Sequence, residues 1–400
     1  MLLTMKEKNK IEVMQGVMDG RIERDEAGRV LKRSVRQVFR MLKKLREKGL
    51  AGLQHGNKGK KSPRKIKKAI CKKIVELARG KFSDINDTHL SEILLREEKI
   101  RVSRQALRKI LRAAGISAKL KRRGPKHRMR RERKEAFGMM LQIDGSPHDW
   151  LEGRGPRLTL VGAKDDATGF VWARFEEAET TWAYMNLMRE IFLSRGLPAS
   201  LYSDRHTIFH SPKEPTIVEQ INNIRPLTQF GRAMEELGIT IIKAWSAPAK
   251  GRIEKQWKTF QDRLVVEMRL AGVMNREEAN RLLKSFLKEY NQRFCVPPRQ
   301  RTQVFRSSPS PSMLNQILCL KETRTVAKDH TISFEGLVLQ IPPSRKYYSI
   351  ARQKVQVLQC NDGSVEIFYK QQVVARFRPE AIQRMIEQTK EEECQLKKAA

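Results

Sequence analysis

Three carboxylates mark the middle of the chain. Asp144 closes the apolar run MMLQID (139 to 144), Asp204 closes ASLYSD (199 to 204), and Glu254 stands in the first turn of a helical stretch after SAPAKG, so the intervals are 60 and 50 residues. Acids drawn into one cluster from two strand ends and a helix suit two divalent metals about 3.5 to 4 Å apart, which clamp the attacking and leaving oxygens of an in-line phosphoryl displacement. Magnesium takes such oxygen ligands and keeps several waters. The cations around Glu254, namely Lys250, Arg252, Lys255 and Lys258, are expected to meet the phosphates of the substrate. The plainer reading of Glu254 is an acid favoured at the positive end of a helix dipole.

The elements around these acids have the order needed to bring them together. RLTLVGAKDD and GFVWARF (157 to 175) alternate around DATG and read as a hairpin; TTWAYMNLMREIFLSRGLP reads as an amphipathic helix closed by Gly196 and Pro198. An aperiodic excursion covers 205 to 226, then FGRAMEELGI gives a helix and TIIKAW a strand ahead of the Glu254 helix. Three strands, helix, strand, helix, strand, helix is the order of an α/β ribonuclease-H-like sheet, with Asp144 and Asp204 at neighbouring strand ends. Asp149, Asp165 and Asp166 are read as turn or strand-end residues, because Asp166-Ala167-Thr168-Gly169 is good turn chemistry. His206 is a possible accessory group near the scissile phosphate, the alternative being a structural hydrogen bond. Trp150 and Trp257 are read as core or rim aromatics, with stacking on an unpaired base as the other reading.

Charge names the class of partner. Lys and Arg number 81 against 45 acids, a net charge of +36, and 40% apolar residues is ample for buried cores, so the chain reads as a folded protein with a polyanionic partner. No apolar run reaches the length of a spanning helix and the N-terminal stretch has no signal-peptide core, so a membrane is excluded as the expected polyanion and the chain reads as soluble and cytoplasmic. Its five cysteines are odd in number, far apart and without a C-x-x-C, which suits reduced thiols, and no histidine pair completes a zinc site with them.

The basic residues concentrate toward the front, where one pattern occurs twice. DEAGRVLKRSVRQVFRMLKKLREKGL (25 to 50) gives a short helix, a break at Lys32-Arg33, and Ser34 capping a helix with Val35, Val38, Leu42 and Leu45 on one face and Arg36, Gln37 and Arg40 on the other. NDTHLSEILLREEKIRVSRQALRKILRAAG repeats this with Ser103 as cap, Leu107, Ile110 and Leu111 inward, and Arg104, Gln105 and Arg108 outward. This reads as helix-turn-helix geometry, which sets such side chains at base edges in the major groove; the plainer reading of either copy is a solvated amphipathic helix pair, which the tandem repeat disfavours. The runs 58 to 73 and 119 to 138 are expected to track phosphates, the second as a linker too charged to pack.

Behind the core, 296 to 318 is rich in Pro and Ser and reads as a linker, and 319 to 380 alternates like the strands of a small β-barrel. The expected domains are therefore 1–55 and 63–118 (two helix-turn-helix units), 119–138 (basic linker), 139–295 (catalytic core), 296–318 (linker), 319–380 (β-barrel) and 381–400 (charged helix).

LQIDGSPHDWLEGRG, DDATG, YSDRH, LTQFGRAMEELGI and AKGRIEKQWKTFQDRLVVEMRLAG closely resemble the catalytic core of bacterial insertion-sequence transposases of the ISNCY type, relatives of retroviral integrases. The resemblance covers nearly the whole chain. It implies a DDE triad at Asp144, Asp204 and Glu254, two Mg2+ ions with Mn2+ as a substitute, DNA end cleavage and strand transfer on double-stranded DNA, and a homo-oligomer on the paired element ends. One departure stands out: the family reads Ser-Pro-x-Ala-Lys-Gly-Arg before the glutamate, and this chain has Ser246-Ala247-Pro248. Two other functions are open at this point, a non-enzymatic sequence-specific DNA-binding regulator derived from a transposase and a ribonuclease-H-type nuclease without strand transfer. The intact acids disfavour the first and the two recognition units disfavour the second.

Overall fold

The computed structural model describes residues 5–54, 65–119, 124, 131–221, 225–244, 251–343 and 349–399. The chain divides into two compact units, Met1–Gly80 and Lys81–Ala400. In the first, α1 (Met5–Met18), α2 (Arg24–Leu31), α3 (Val35–Lys48) and a short 3-10 turn bury Met14, Ala27, Val38, Leu42, Leu45 and Leu53 against one another. Lys32 takes a left-handed φ of 54° between α2 and α3, and the Ser34 hydroxyl accepts from the Gln37 amide, capping α3. Val35, expected inward, is exposed. A further helix, α4, covers Lys68–Arg79. The expected phosphate-tracking run 58 to 73 lies partly outside the described residues.

The second unit opens with another helix pair, α5 (Asp87–Glu97) and α6 (Arg104–Ala113). Lys99 again has positive φ in the turn, and Ser103 accepts from the Ala106 amide at the start of α6. Leu107 and Leu111 are buried; Ile110 is half-buried.

The sheet that follows comprises β1 (Leu141–His148), β2 (Leu158–Asp165), β3 (Val171–Glu176), β4 (Ser200–Ser203) and β5 (Thr240–Lys243), in the spatial order β3-β2-β1-β4-β5. β1 to β3 are antiparallel neighbours, whereas β4 runs parallel to β1 and β5 parallel to β4. Helices cover both faces because the inward residues alternate. Leu141, Ile143, Val161 and Ala163 face α7 (Thr181–Arg195) together with α9 (Gln229–Glu236), which follows the short α8 (Ile217–Ile221). Leu158, Leu160, Val171 and Phe175 share the other core with α10 (Gly251–Leu270) and α11 (Arg276–Phe294). Each fully buried Leu, Ile or Phe in these layers contributes about 1.5–3 kcal/mol. This mixed sheet with helices on both faces fits a ribonuclease-H-like core.

Three expectations need correction. The end of the basic linker packs: Ala136 is buried, Phe137 stacks on Trp172, and the Arg131 guanidinium pairs with Asp166 at 2.5 Å. Likewise the Pro/Ser-rich stretch is a strap along the core. Val296, Gln300 and Val304 donate backbone bonds to Thr168, Glu135 and Phe137, Phe305 packs edge-on to Phe137, and α12 (Pro311–Ile317) buries Leu314. Finally, β6 (Leu320–Thr325), β7 (Thr331–Phe334), β8 (Leu337–Gln340), β9 (Lys354–Gln359), β10 (Val365–Tyr369) and β11 (Gln372–Phe377) form no closed barrel among the described residues. They make an open four-stranded sheet, β11-β10-β9-β6, and a separate β7-β8 hairpin, ahead of α13 (Pro379–Ala399). No helix of the described residues is long and apolar enough to cross a membrane.

Candidate active site

The parallel register of β1 and β4 pairs Leu141 with Leu201 and Gln142 with Tyr202, an offset of 60 residues. Asp144 and Asp204 differ by the same 60. The pairing ends two residues short of both acids, and the charges of both act on the Tyr184 hydroxyl. Asp144, expected at a strand end, is instead half-buried in the middle of β1, because the strand continues to His148, and Asp204 is the half-buried residue just past β4.

Helix α10 runs alongside β1 and is anchored at successive levels, first to the turn after β2 and then twice to β1. Arg252 donates to Asp166 at 2.5 Å, Trp257 Nε1 donates to Asp144 Oδ2 at 3.0 Å, and Gln261 Nε2 donates to Ser146 Oγ at 3.1 Å. Glu254 lies in the turn between the first two of these anchors, exposed to solvent. Space for Trp257 comes from Gly162, which pairs with Asp144 across β1 and β2: a Cβ there would come within 2.4 Å of the indole. The Lys164 ammonium, two residues along β2, donates to Gln256 at 2.9 Å. Burial, then like charge from Arg133, pushes its pKa down to about 8.

On the opposite face a fourth acid approaches. Glu179 sits so close to Gly145 that a Cβ there would meet its carboxyl carbon at 2.6 Å. The buried Tyr184 hydroxyl donates to Glu179 at 2.6 Å. Burial first, then the Glu179 charge, raises the Tyr184 phenol well above its ordinary pKa, and Asp144 and Asp204 add to the effect. The neighbourhood is thus strongly negative before any cation binds. Among the described residues no group of three or more His, Cys, Asp or Glu side chains stands close enough to hold a metal ion.

Sequence reasoning passed over Glu179 and saw in Trp257 only an aromatic; the position of Trp257 three residues after Glu254, on the same helical side, was the available signal. His206 is exposed, donates its amide to Asp204 Oδ1 at 3.0 Å, and accepts from the Ile208 amide through Nδ1 at 3.2 Å. Asp165 accepts from Gly138 and Thr168, and the wholly buried Asp166 accepts from Arg131, Arg252, Gln142 and the Lys134 amide. Both therefore do structural work at the base of the hairpin. Arg252, expected at a phosphate, is engaged by Asp166, and Lys258 is exposed. Lys250 and the Ser246-Ala247-Pro248 departure lie outside the described residues.

No family model matches the chain. It is 33% identical over 373 residues to a protein of Sinorhizobium fredii named as a transposase, covering 92% of this chain and 80% of that one. It is 30% identical over 405 residues to the transposase for insertion sequence IS1202 of Streptococcus pneumoniae, covering 90% and 84%. The chain belongs to the insertion-sequence transposases. Solved structures similar to this transposase include the BIV integrase catalytic core domain, at 17% identity and a TM-score of 0.26 over 38% of this chain and 81% of that one. A simian T-cell lymphotropic virus intasome matches at 13% and 0.34 over 76% and 99%. At these TM-scores the likeness decides nothing further.

The transposase presents its paired R-Q-x-x-R motifs outward. Arg36, Gln37 and Arg40 on α3, and Arg104, Gln105 and Arg108 on α6, are all exposed.

Proposed function

We propose that this transposase binds the terminal repeats of its own element through the two Ser-capped helices, cleaves the end phosphodiester, and joins the freed 3′-hydroxyl to target DNA. The reading rests above all on one observation: the helix carrying Glu254 is hydrogen-bonded to Asp144 through Trp257. The three acids are hard oxygen donors with no thiol or imidazole among them, a set that fits magnesium or manganese. Asp144, Asp204 and Glu254 would hold the ions. Two such ions, when bound, would supply Lewis-acid activation for an in-line displacement. The chain's own residues do the rest. Trp257 fixes the orientation of Asp144, Asp204 is oriented by the His206 amide, and Lys258 faces the DNA. Paired element ends require a homo-oligomer in the DNA complex.

A strand-transfer assay on a precut end with magnesium or manganese, run beside a binding assay, tests this. Glu254→Gln should lower joining by orders of magnitude while terminal-repeat binding survives. A helix-dipole role for Glu254 gives instead a stability loss of about 0.3–1 kcal/mol and near-normal chemistry. Normal joining by the variant refutes the triad.

A further inference from the structure

Helix α10 has a second attachment. Its 20 residues span about 30 Å. The N-terminal half is pinned to β1, and the C-terminal half receives the α5–α6 pair. Arg263 donates to Glu92 at 2.7 and 3.3 Å, and Arg293 of α11 pairs with the same carboxylate at 2.7 Å. Glu267 accepts from His89 Nε2 at 2.7 Å and from both terminal nitrogens of Arg96, at 3.2 and 2.7 Å. Arg269 forks onto Asp84 at 2.8 and 2.6 Å. The His89–Glu267 pair is withdrawn from water, at 2% and 17% exposure, whereas Arg96, Arg293 and Asp84 are about half exposed. Breaking the buried pair is far more costly than losing an exposed one. The α6 helix is tied in turn to α5 by Arg112 and Asp87 at 2.6 Å. The α2–α3 pair, by contrast, belongs to a compact unit of its own, Met1–Gly80.

We propose that the α5–α6 module, docked on α10, is the ruler of the reaction: besides its share of binding it fixes which phosphodiester of a bound DNA end meets the three acids, while the α2–α3 module adds affinity without setting the cut. The inference rests on the DNA-cleaving function proposed above. Glu92, Arg263, Arg293, Arg96 and Glu267 are then positioning residues that set specificity of cutting. The lever is short enough for this to matter. Glu254 and Glu267 lie about 20 Å apart along the helix, and a tilt of roughly 10° on that arm moves its far end about 3.5 Å, close to the axial rise of about 3.4 Å per nucleotide of a duplex. A loosened dock therefore shifts the cut by a nucleotide.

The test maps cleavage at nucleotide resolution on an end-labelled duplex carrying the element's terminal repeat, with affinity and thermal melting measured in parallel. Wild type should cut one phosphodiester. Arg36→Ala, in the other module, should bind roughly tenfold more weakly and cut at the same place. Glu92→Arg should bind within about threefold of wild type yet spread cleavage over neighbouring phosphodiesters, and Glu92→Arg combined with Arg263→Glu should restore a single cut. If Glu92→Arg melts early, Arg293→Ala is read in the same way. A single wild-type cut by every docking variant overturns the ruler, as does a displaced cut in Arg36→Ala. A wild-type protein that neither binds nor cuts the end overturns the proposed function itself, a result separable from both.

Discussion

Trp257 donates its indole N–H to Asp144 at 3.0 Å and stands one helical turn from Glu254, so the Asp144 carboxylate is tied to the helix that carries Glu254. Groups that hold a metal ligand in this way are commonly worth 10–100-fold in metal affinity or activity. Trp257→Phe keeps most of the ring and removes the donor. Joining should drop by about that factor and a manganese titration should shift to higher concentration, with stability down by roughly 1 kcal/mol for the lost bond. Pure core packing predicts the stability loss with an unmoved manganese titration.

The same contact explains a glycine. Adding a Cβ at residue 162 brings it within 2.4 Å of the indole and 3.0 Å of the Trp172 carbonyl oxygen, and the backbone oxygen cannot swing aside. Gly162→Ala should therefore cost about 1–3 kcal/mol by overpacking and displace Trp257 from Asp144. Thermal melting and tryptophan emission measure the two effects separately. Wild-type stability and emission together would show that the sheet yields at no cost.

Local pattern carried the order of strands and helices, because an apolar run and an amphipathic helix are properties of a few neighbouring residues. The 60-residue interval even equals the β1–β4 offset. What was illegible depends on partners far away in sequence. Arg252 looks like a phosphate ligand until Asp166, 86 residues away, claims it. Residues 296 to 318 have linker composition, yet Phe305 and Leu314 find places in the core. Alternation at 319 to 380 gives strands without telling which edges pair, so an open sheet and a hairpin read as a barrel.

Lys164 yields a prediction about pH. Burial is the main cause of its pKa of about 8, against 10.5 for the free side chain. Between those values the unfolded chain holds a proton that the folded chain lacks, so this group makes stability rise with pH across the window from 8 to 10.5; below 8 both states are protonated and the burial cost is complete. That cost is on the order of 3 kcal/mol. Lys164→Met keeps the apolar stem, and Gln256 still accepts from the Tyr290 hydroxyl at 3.0 Å. The variant should be more stable than wild type at pH 7, with the advantage shrinking above pH 8 and gone near pH 11. Denaturant melts at pH 7, 9 and 11 provide the check. A variant less stable at every pH would mean that the ammonium's hydrogen bond outweighs its burial.

Exposed cations on the two Ser-capped helices and on α10 should fail in different ways. Arg104 and Gln105 sit in the first turn of α6, where helix-turn-helix docking meets base edges, and each good base contact is worth about 1–3 kcal/mol of discrimination. Arg104→Ala should thus weaken binding to the terminal repeat by that amount and leave random DNA nearly untouched. Lys258, one turn from Glu254, has no such directional task. Lys258→Gln should weaken both DNAs alike and lower the slope of log affinity against log salt by about 1, since one phosphate contact is lost with its released counterion. Competition binding on cognate and scrambled duplexes across a salt series distinguishes the two. Equal losses for Arg104→Ala on both duplexes would reduce α6 to a phosphate clamp and leave sequence reading to α3 alone.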